Sequence, residues 1–232
     1  MTEVRTEAIP LVDGSTLRLT VAAPVSSIRG GIVVLHEARG VTDAVRGLVH
    51  GLAGEGWLVV APHLYHRDTA DELEGDDGQV QQQVERLDGE QVMADTDTAF
   101  DWLSEHDIST DRMGVIGFDL GGTVALLVAA ERTLGAAVTV EGEGITEARS
   151  AALPSLLDAA PGITCPWLGI YGEPVDGERP ELKQLRDAAA SSEVATDVVV
   201  YPSDGGHRFD DDPENAAEAW QRTLNWFDSH LR

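Results

Sequence analysis

The stretch Arg112-Met113-Gly114-Val115-Ile116-Gly117-Phe118-Asp119-Leu120-Gly121-Gly122, continued by Thr123-Val124-Ala125-Leu126-Leu127-Val128-Ala129-Ala130, decides the fold. Its first half is a short apolar run of the kind that forms a buried strand, and its second half is an apolar helix former. Between them lies Gly117-Phe118-Asp119-Leu120-Gly121. A strand that reverses sharply into a helix holds the apex residue in a strained backbone conformation. A Cβ two positions to either side would clash, so Gly117 and Gly121 sit where the turn needs residues without one. The segment predicts a strand–elbow–helix with Asp119 at its apex.

Outward from the elbow, β-branched runs alternate with helical stretches along the chain. Strands are expected over residues 15–22, 31–36, 57–62, 112–118, 136–141, 166–171 and 196–201. The inner runs are continuously apolar, as strands covered on both faces are. Helices are expected over 41–55, 91–105, 120–132, 180–192 and 213–231. This alternation predicts an α/β fold with a mostly parallel central sheet and helices on both faces, in one domain over 1–232. The acidic, polar segment 68–83 reads as a mobile surface connection.

Composition narrows the classes of partner. The 41 acidic residues outnumber the 16 basic ones, for a formal net charge of −25, which repels nucleic acid and anionic membrane surfaces. No apolar run reaches the ~20 residues of a membrane span, and the polar start Met1-Thr2-Glu3-Val4-Arg5 is no secretory signal, so a cytoplasmic protein is expected. A single cysteine, Cys165, excludes an intrachain disulfide and a multi-thiolate zinc site, and reads as a small core residue. The pair His63-x-x-His66 has no further ligand at a recognised spacing, and the clusters Asp76-Asp77 and Asp210-Asp211-Asp212 lack the pattern of a calcium loop. No metal or other cofactor is expected. The expected partner is a small-molecule substrate, and the chain is expected to be a monomer or homodimer.

A catalytic set follows the elbow in chain order. Ser203-Asp204-Gly205-Gly206-His207-Arg208-Phe209 comes after the last strand, where a loop histidine serves as base in folds with this elbow. Tyr171-Gly172-Glu173-Pro174-Val175-Asp176-Gly177 comes after the strand before it and offers Asp176 as the acid, with Glu173 as the reserve. Nucleophile, acid and histidine thus appear in the order of the α/β-hydrolase fold.

Over nearly its whole length the chain resembles the dienelactone hydrolase family. Val33-Val34-Leu35-His36-Glu37 with Gly40 is similar to the family's first core strand and His-Glu turn, and Ala61-Pro62-His63-Leu64-Tyr65-His66-Arg67 to its "APDLYxR" segment. Gly117–Gly122 is similar to its "GxCxGG" elbow, and Gly205-Gly206-His207 to its "GH" base. The resemblance implies that Glu37 lies beside the nucleophile. It also implies an oxyanion hole made by the backbone N–H of Leu120 and one from the Glu37–Ala38 turn. Three departures bear on chemistry. Asp119 stands where the family has cysteine or serine. The acid falls one position late, the family's place being Val175. The arginines that grip a dienelactone carboxylate are missing, leaving Tyr65, Arg67 and Arg208 as candidate substrate contacts in a field that disfavours a dianionic lactone.

An aspartate carboxyl, with a reference pKa of about 3.9, is ionised at neutral pH without a base. Its attack on an ester carbonyl gives a mixed anhydride more reactive than the ester, whereas attack on an epoxide carbon or a carbon bearing halide gives a stable alkyl ester. His207 then activates water to hydrolyse that ester, the oxyanion hole holding the tetrahedral intermediate. This resembles the use of aspartate by epoxide hydrolases and haloalkane dehalogenases, except that 142–165 leaves room for little more than one short helix rather than a large cap. Tyr65 is the candidate acid for an epoxide oxygen. Two alternatives stand beside this reading: ester or lactone hydrolysis by general-base catalysis, and a catalytically silent small-molecule binding protein.

Overall fold

The computed structural model describes residues 2–68, 72–73, 76–175, 178–203 and 209–231. Its strands are β1 (Val4–Pro10), β2 (Thr16–Ala22), β3 (Gly31–Leu35), β4 (Leu58–Pro62), β5 (Met113–Phe118), β6 (Ala136–Val140), β7 (Trp167–Pro174) and β8 (Thr196–Ser203). Its helices are α1 (Asp43–Gly54), α2 (Asp77–Glu85), α3 (Gly89–Glu105), α4 (Leu120–Glu131), α5 (Leu156–Ala159), α6 (Pro180–Ala189) and α7 (Pro213–His230). The strands form one eight-stranded sheet in the order β1-β2-β4-β3-β5-β6-β7-β8. β1–β2 and β2–β4 pair antiparallel, and every other pairing is parallel.

Alternation along the inner strands divides the core between two layers. Val33, Leu35, Leu58, Val60, Val115 and Ala137 face one side, where they pack with the apolar residues of α3, α4 and α6. Ile32, Val34, Val59, Ile116, Val138 and Ile170 face the other, against α1 and α7. Every residue of α4 from Leu120 to Ala129 is buried, because this helix lies between the sheet and further chain on its outer side. A helix so enclosed needs no polar face.

Two departures from the expected elements have physical causes. β1 was not expected: it is an edge strand whose residues are all half-buried or exposed, so its sequence lacks an apolar rhythm. What anchors it includes Glu7, whose carboxylate accepts the Trp102 indole N–H at 3.0 Å. The surface connection expected over 68–83 instead contains the start of α2, where Val80 and Val84, one turn apart, are both buried. Two valines in a run of glutamines suffice to seat a helix. The stretch between β6 and β7 holds only the four-residue α5 and a following 3₁₀ turn. Among the described residues, no helix is long and apolar enough to cross a membrane.

Candidate active site

Asp119 sits between β5 and α4 with φ 50° and ψ −113°, a left-handed conformation that non-glycine residues rarely adopt. The surrounding packing enforces it. A Cβ on Gly117 would lie 1.9 Å from the Gly121 carbonyl oxygen, and one on Gly121 would lie 2.4 Å from that of Leu35. The apex is held by its own backbone, since its N–H donates to Val140 O at 3.0 Å and its carbonyl accepts the Thr123 N–H at 3.0 Å.

The β3 end supplies the neighbouring turn. His36 is buried, which pushes its pKa down to about 4, so the ring is neutral. Its Nδ1–H donates to the Glu37 carbonyl at 2.7 Å, while Nε2 accepts the Leu64 N–H at 3.2 Å. Gly40 N–H also donates to the Glu37 carbonyl, at 3.1 Å. In a trans peptide the N–H points opposite the C=O, so two donors on the Glu37 oxygen fix the direction of the Ala38 N–H. Leu120 is the first residue of α4, and its N–H precedes the intrahelical ladder at the positive end of the helix.

Asp119 opens into a cavity of ≈ 240 Å³. Ala44, Val45 and Leu48 of α1 wall one side, and Phe118, Val140 and Phe209 add further apolar surface. The polar lining is acidic: Glu37, Asp119, Glu141 and Asp210. Among the described residues no arginine or lysine lines this space.

Glu141 is the site residue that sequence reasoning missed. It follows β6 directly, with φ 50°, a second left-handed non-glycine residue at the carboxyl ends of the strands. Its Oε1 accepts the Gly172 N–H at 2.6 Å, and its Oε2 meets Arg179 Nη1 at 3.1 Å. Burial pushes its pKa up to about 7. The Gly172 N–H and Arg179 hold it down against that, and Asp119 adds a further upward push. The available signal was an acid at the carboxyl end of an inner strand, where open α/β sheets bind ligands.

Of the residues expected at the site, Asp119 and Glu37 line the cavity, and Leu120 and Ala38 adjoin them in the chain. Tyr65 and Arg67 are not among the residues that line it. Tyr65 is buried, and its hydroxyl donates to the Ala38 carbonyl at 2.7 Å, so it braces the turn. Arg67 forms a bidentate pair with buried Asp95, at 2.7 and 3.0 Å. His66 Nε2 lies 3.0 Å from the same carboxylate, while His63 bonds Thr20 at 2.8 Å, so the two histidines serve different partners. Glu173, the reserve acid, accepts the Arg179 backbone N–H at 2.9 Å outside the cavity. Asp176, His207 and Arg208 lie outside the described residues.

Replacing Arg67 by leucine is therefore expected to lower stability by about 2 kcal/mol, because it leaves the buried Asp95 carboxylate with His66 in place of a bidentate arginine. KM should stay within about twofold, since Arg67 is not among the residues that line the cavity. Thermal melting beside steady-state kinetics checks this, and a raised KM with unchanged melting would return Arg67 to the substrate.

A mostly parallel sheet of this strand order, with an elbow at the carboxyl end of β5, defines an α/β-hydrolase. Residues 17–231 match the model of the dienelactone hydrolase family. The chain belongs to that family and is a hydrolase. A Yersinia pestis protein named as a carboxymethylenebutenolidase is 31% identical over 209 residues, covering 86% of this chain and 78% of that one. A like-named protein of Escherichia coli K12 is 32% identical over 213 residues, covering 84% and 75%. A dienelactone hydrolase structure from Klebsiella pneumoniae superposes with a TM-score of 0.88 at 29% identity, covering 99% of this chain and all of the other.

Proposed function

We propose that this protein hydrolyses a small, largely apolar substrate of the epoxide or carbon–halogen type through a covalent ester on Asp119. The observation that carries the reading is a carboxylate at the apex of an intact elbow, opening into an apolar cavity without a basic residue among the described ones. The carboxylates Glu37, Glu141 and Asp210 beside Asp119 disfavour the anionic lactone implied by the relatives' names. The cavity suits an uncharged molecule about the size of one aromatic ring.

In the first step an Asp119 carboxylate oxygen attacks the saturated carbon, and the bond to oxygen or halide breaks with its electron pair leaving on that atom. In the second, His207 takes a proton from water, which adds to the Asp119 ester carbonyl. The Leu120 and Ala38 N–H groups receive the oxyanion. Collapse expels the alcohol, which recovers the proton, and Asp119 keeps one water-derived oxygen. Phe209 and Asp210, directly after the His207–Arg208 pair in sequence, line the cavity, which supports placing the base there.

Turnover in ¹⁸O-water, followed by mass spectrometry of the peptide carrying Asp119, tests the covalent step. Label is expected in the Asp119 carboxylate, with the product of the first turnover carrying unlabelled oxygen from the protein. Label confined to the product from the first turnover would instead mean direct attack by water. That outcome favours general-base hydrolysis of an ester or lactone. Binding without turnover would favour the silent pocket.

A further inference from the structure

Nucleophilic opening of an epoxide differs from displacement of a halide in one respect: the oxygen that leaves carbon needs a proton. Tyr65, the acid expected from the sequence, is buried with its hydroxyl on the Ala38 carbonyl and does not reach the cavity. Glu141 does line it, beside Asp119. We propose that Glu141 is a catalytic acid of this site, giving its proton to the departing oxygen as Asp119 attacks, and that the substrate class is accordingly the epoxide. This rests on Asp119 acting as the nucleophile.

The bonding of Glu141 suits both of its forms. Each carboxyl oxygen has two acceptor positions, of which Gly172 N–H occupies one on Oε1 and Arg179 one on Oε2. A proton on the remaining position of Oε2 leaves both contacts intact. After transfer, the same two donors hold the new carboxylate, so the charge left behind is met by groups already in place. Arg179 is itself fixed, because its Nη1 also donates to the Gly172 carbonyl at 2.9 Å and its Nε to Glu181 at 3.0 Å.

The balance closes over one cycle. The Asp119–carbon bond forms, the carbon–oxygen bond of the ring breaks, and its electron pair takes the Glu141 proton. Hydrolysis of the resulting hydroxyalkyl ester consumes one water and releases a diol, Asp119 and one proton, which returns to Glu141. Among the described residues, the groups near Glu141 are Asp119, Glu37 and Asp210 of the same cavity lining, Arg179 ahead of α6, and the buried Tyr171 hydroxyl of β7. Burial keeps a proton on Glu141 up to about pH 7, which makes the acid form available at neutrality.

The test compares styrene oxide with 1-bromo-2-phenylethane, which share a carbon skeleton but differ in whether the leaving atom needs a proton. Consumption of each is followed with enzyme in excess, in wild type and in Glu141→Gln. The expected result is a ~100-fold slower reaction of the epoxide in the variant, with the bromide changed less than about threefold. In the wild type, the epoxide rate should fall as pH rises through about 7 while the bromide rate holds level. Equal slowing of both compounds, or of neither, overturns the role of Glu141, as does an epoxide rate level across pH 7. Should Glu141→Gln fail to fold, the wild-type pH comparison decides alone. Failure of both compounds to react with wild type sinks the Asp119 nucleophile itself, and the acid with it.

Discussion

Exchanging Asp119 for asparagine should lower kcat/KM on a substrate of the proposed class by ~10⁴-fold or more, a loss of about 5.5 kcal/mol in transition-state stabilisation. Asparagine has the same shape and tolerates positive φ, so the elbow should persist. Backbone bonds to Val140 and Thr123 hold the apex, and the exchange leaves these in place. What disappears is the anionic oxygen that the proposed mechanism uses to form the covalent bond. Steady-state kinetics beside a melting curve separates the two effects. A variant that keeps a tenth of the activity would remove the carboxylate from the mechanism. Asp119→Cys, which installs the thiol the family carries, should gain ester hydrolysis on the same scaffold.

Gly117→Ala should have the largest effect on folding. The added Cβ would fall 1.9 Å from the Gly121 oxygen, 2.2 Å from the carbonyl carbon and 2.8 Å from Gly122 N, all backbone atoms that cannot rotate away. Relief requires parting α4 from the end of β5, and α4 is the most deeply buried helix of the fold. A cost above about 4 kcal/mol is expected, a large share of the ~5–15 kcal/mol that holds a typical domain folded. For a chain of this size that corresponds to a melting point lower by roughly 8–16 °C, or to insoluble protein. Gly47→Ala is the control: it lies in α1 with open space around its Cβ position, and should raise stability by about 0.5–1 kcal/mol. Equal melting of the two variants would mean that the elbow is looser than its contacts indicate.

The elbow was legible because its constraints are local. Gly117, Asp119 and Gly121 lie within five residues, and the strand before them and the helix after them announce the turn. The inner strands were legible because burial on both faces leaves them continuously apolar. β1 escaped because an edge strand with half-exposed residues has no such signature, and α2 because its buried face is two valines wide. Glu141 escaped for another reason: its partners, Gly172 and Arg179, are 31 and 38 positions away and meet it only through the parallel pairing of β6 with β7. Tyr65 and Arg67 show the converse. Their segment was placed correctly after β4, but the direction of a side chain is set by what packs beside it, and Ala38 and Asp95 claimed these two.

The steric demands of the elbow fall on Gly117, Gly121 and Gly122, where any Cβ meets backbone closer than 3 Å, while the apex residue lines the cavity. Folding therefore selects at the three glycines for the absence of a Cβ, and at residue 119 for tolerance of a positive φ rather than for one functional group. Side chains that tolerate that backbone can exchange at one position without a change to the glycines that build the turn. The architecture of the turn and the chemistry carried at its apex are thus set by different residues.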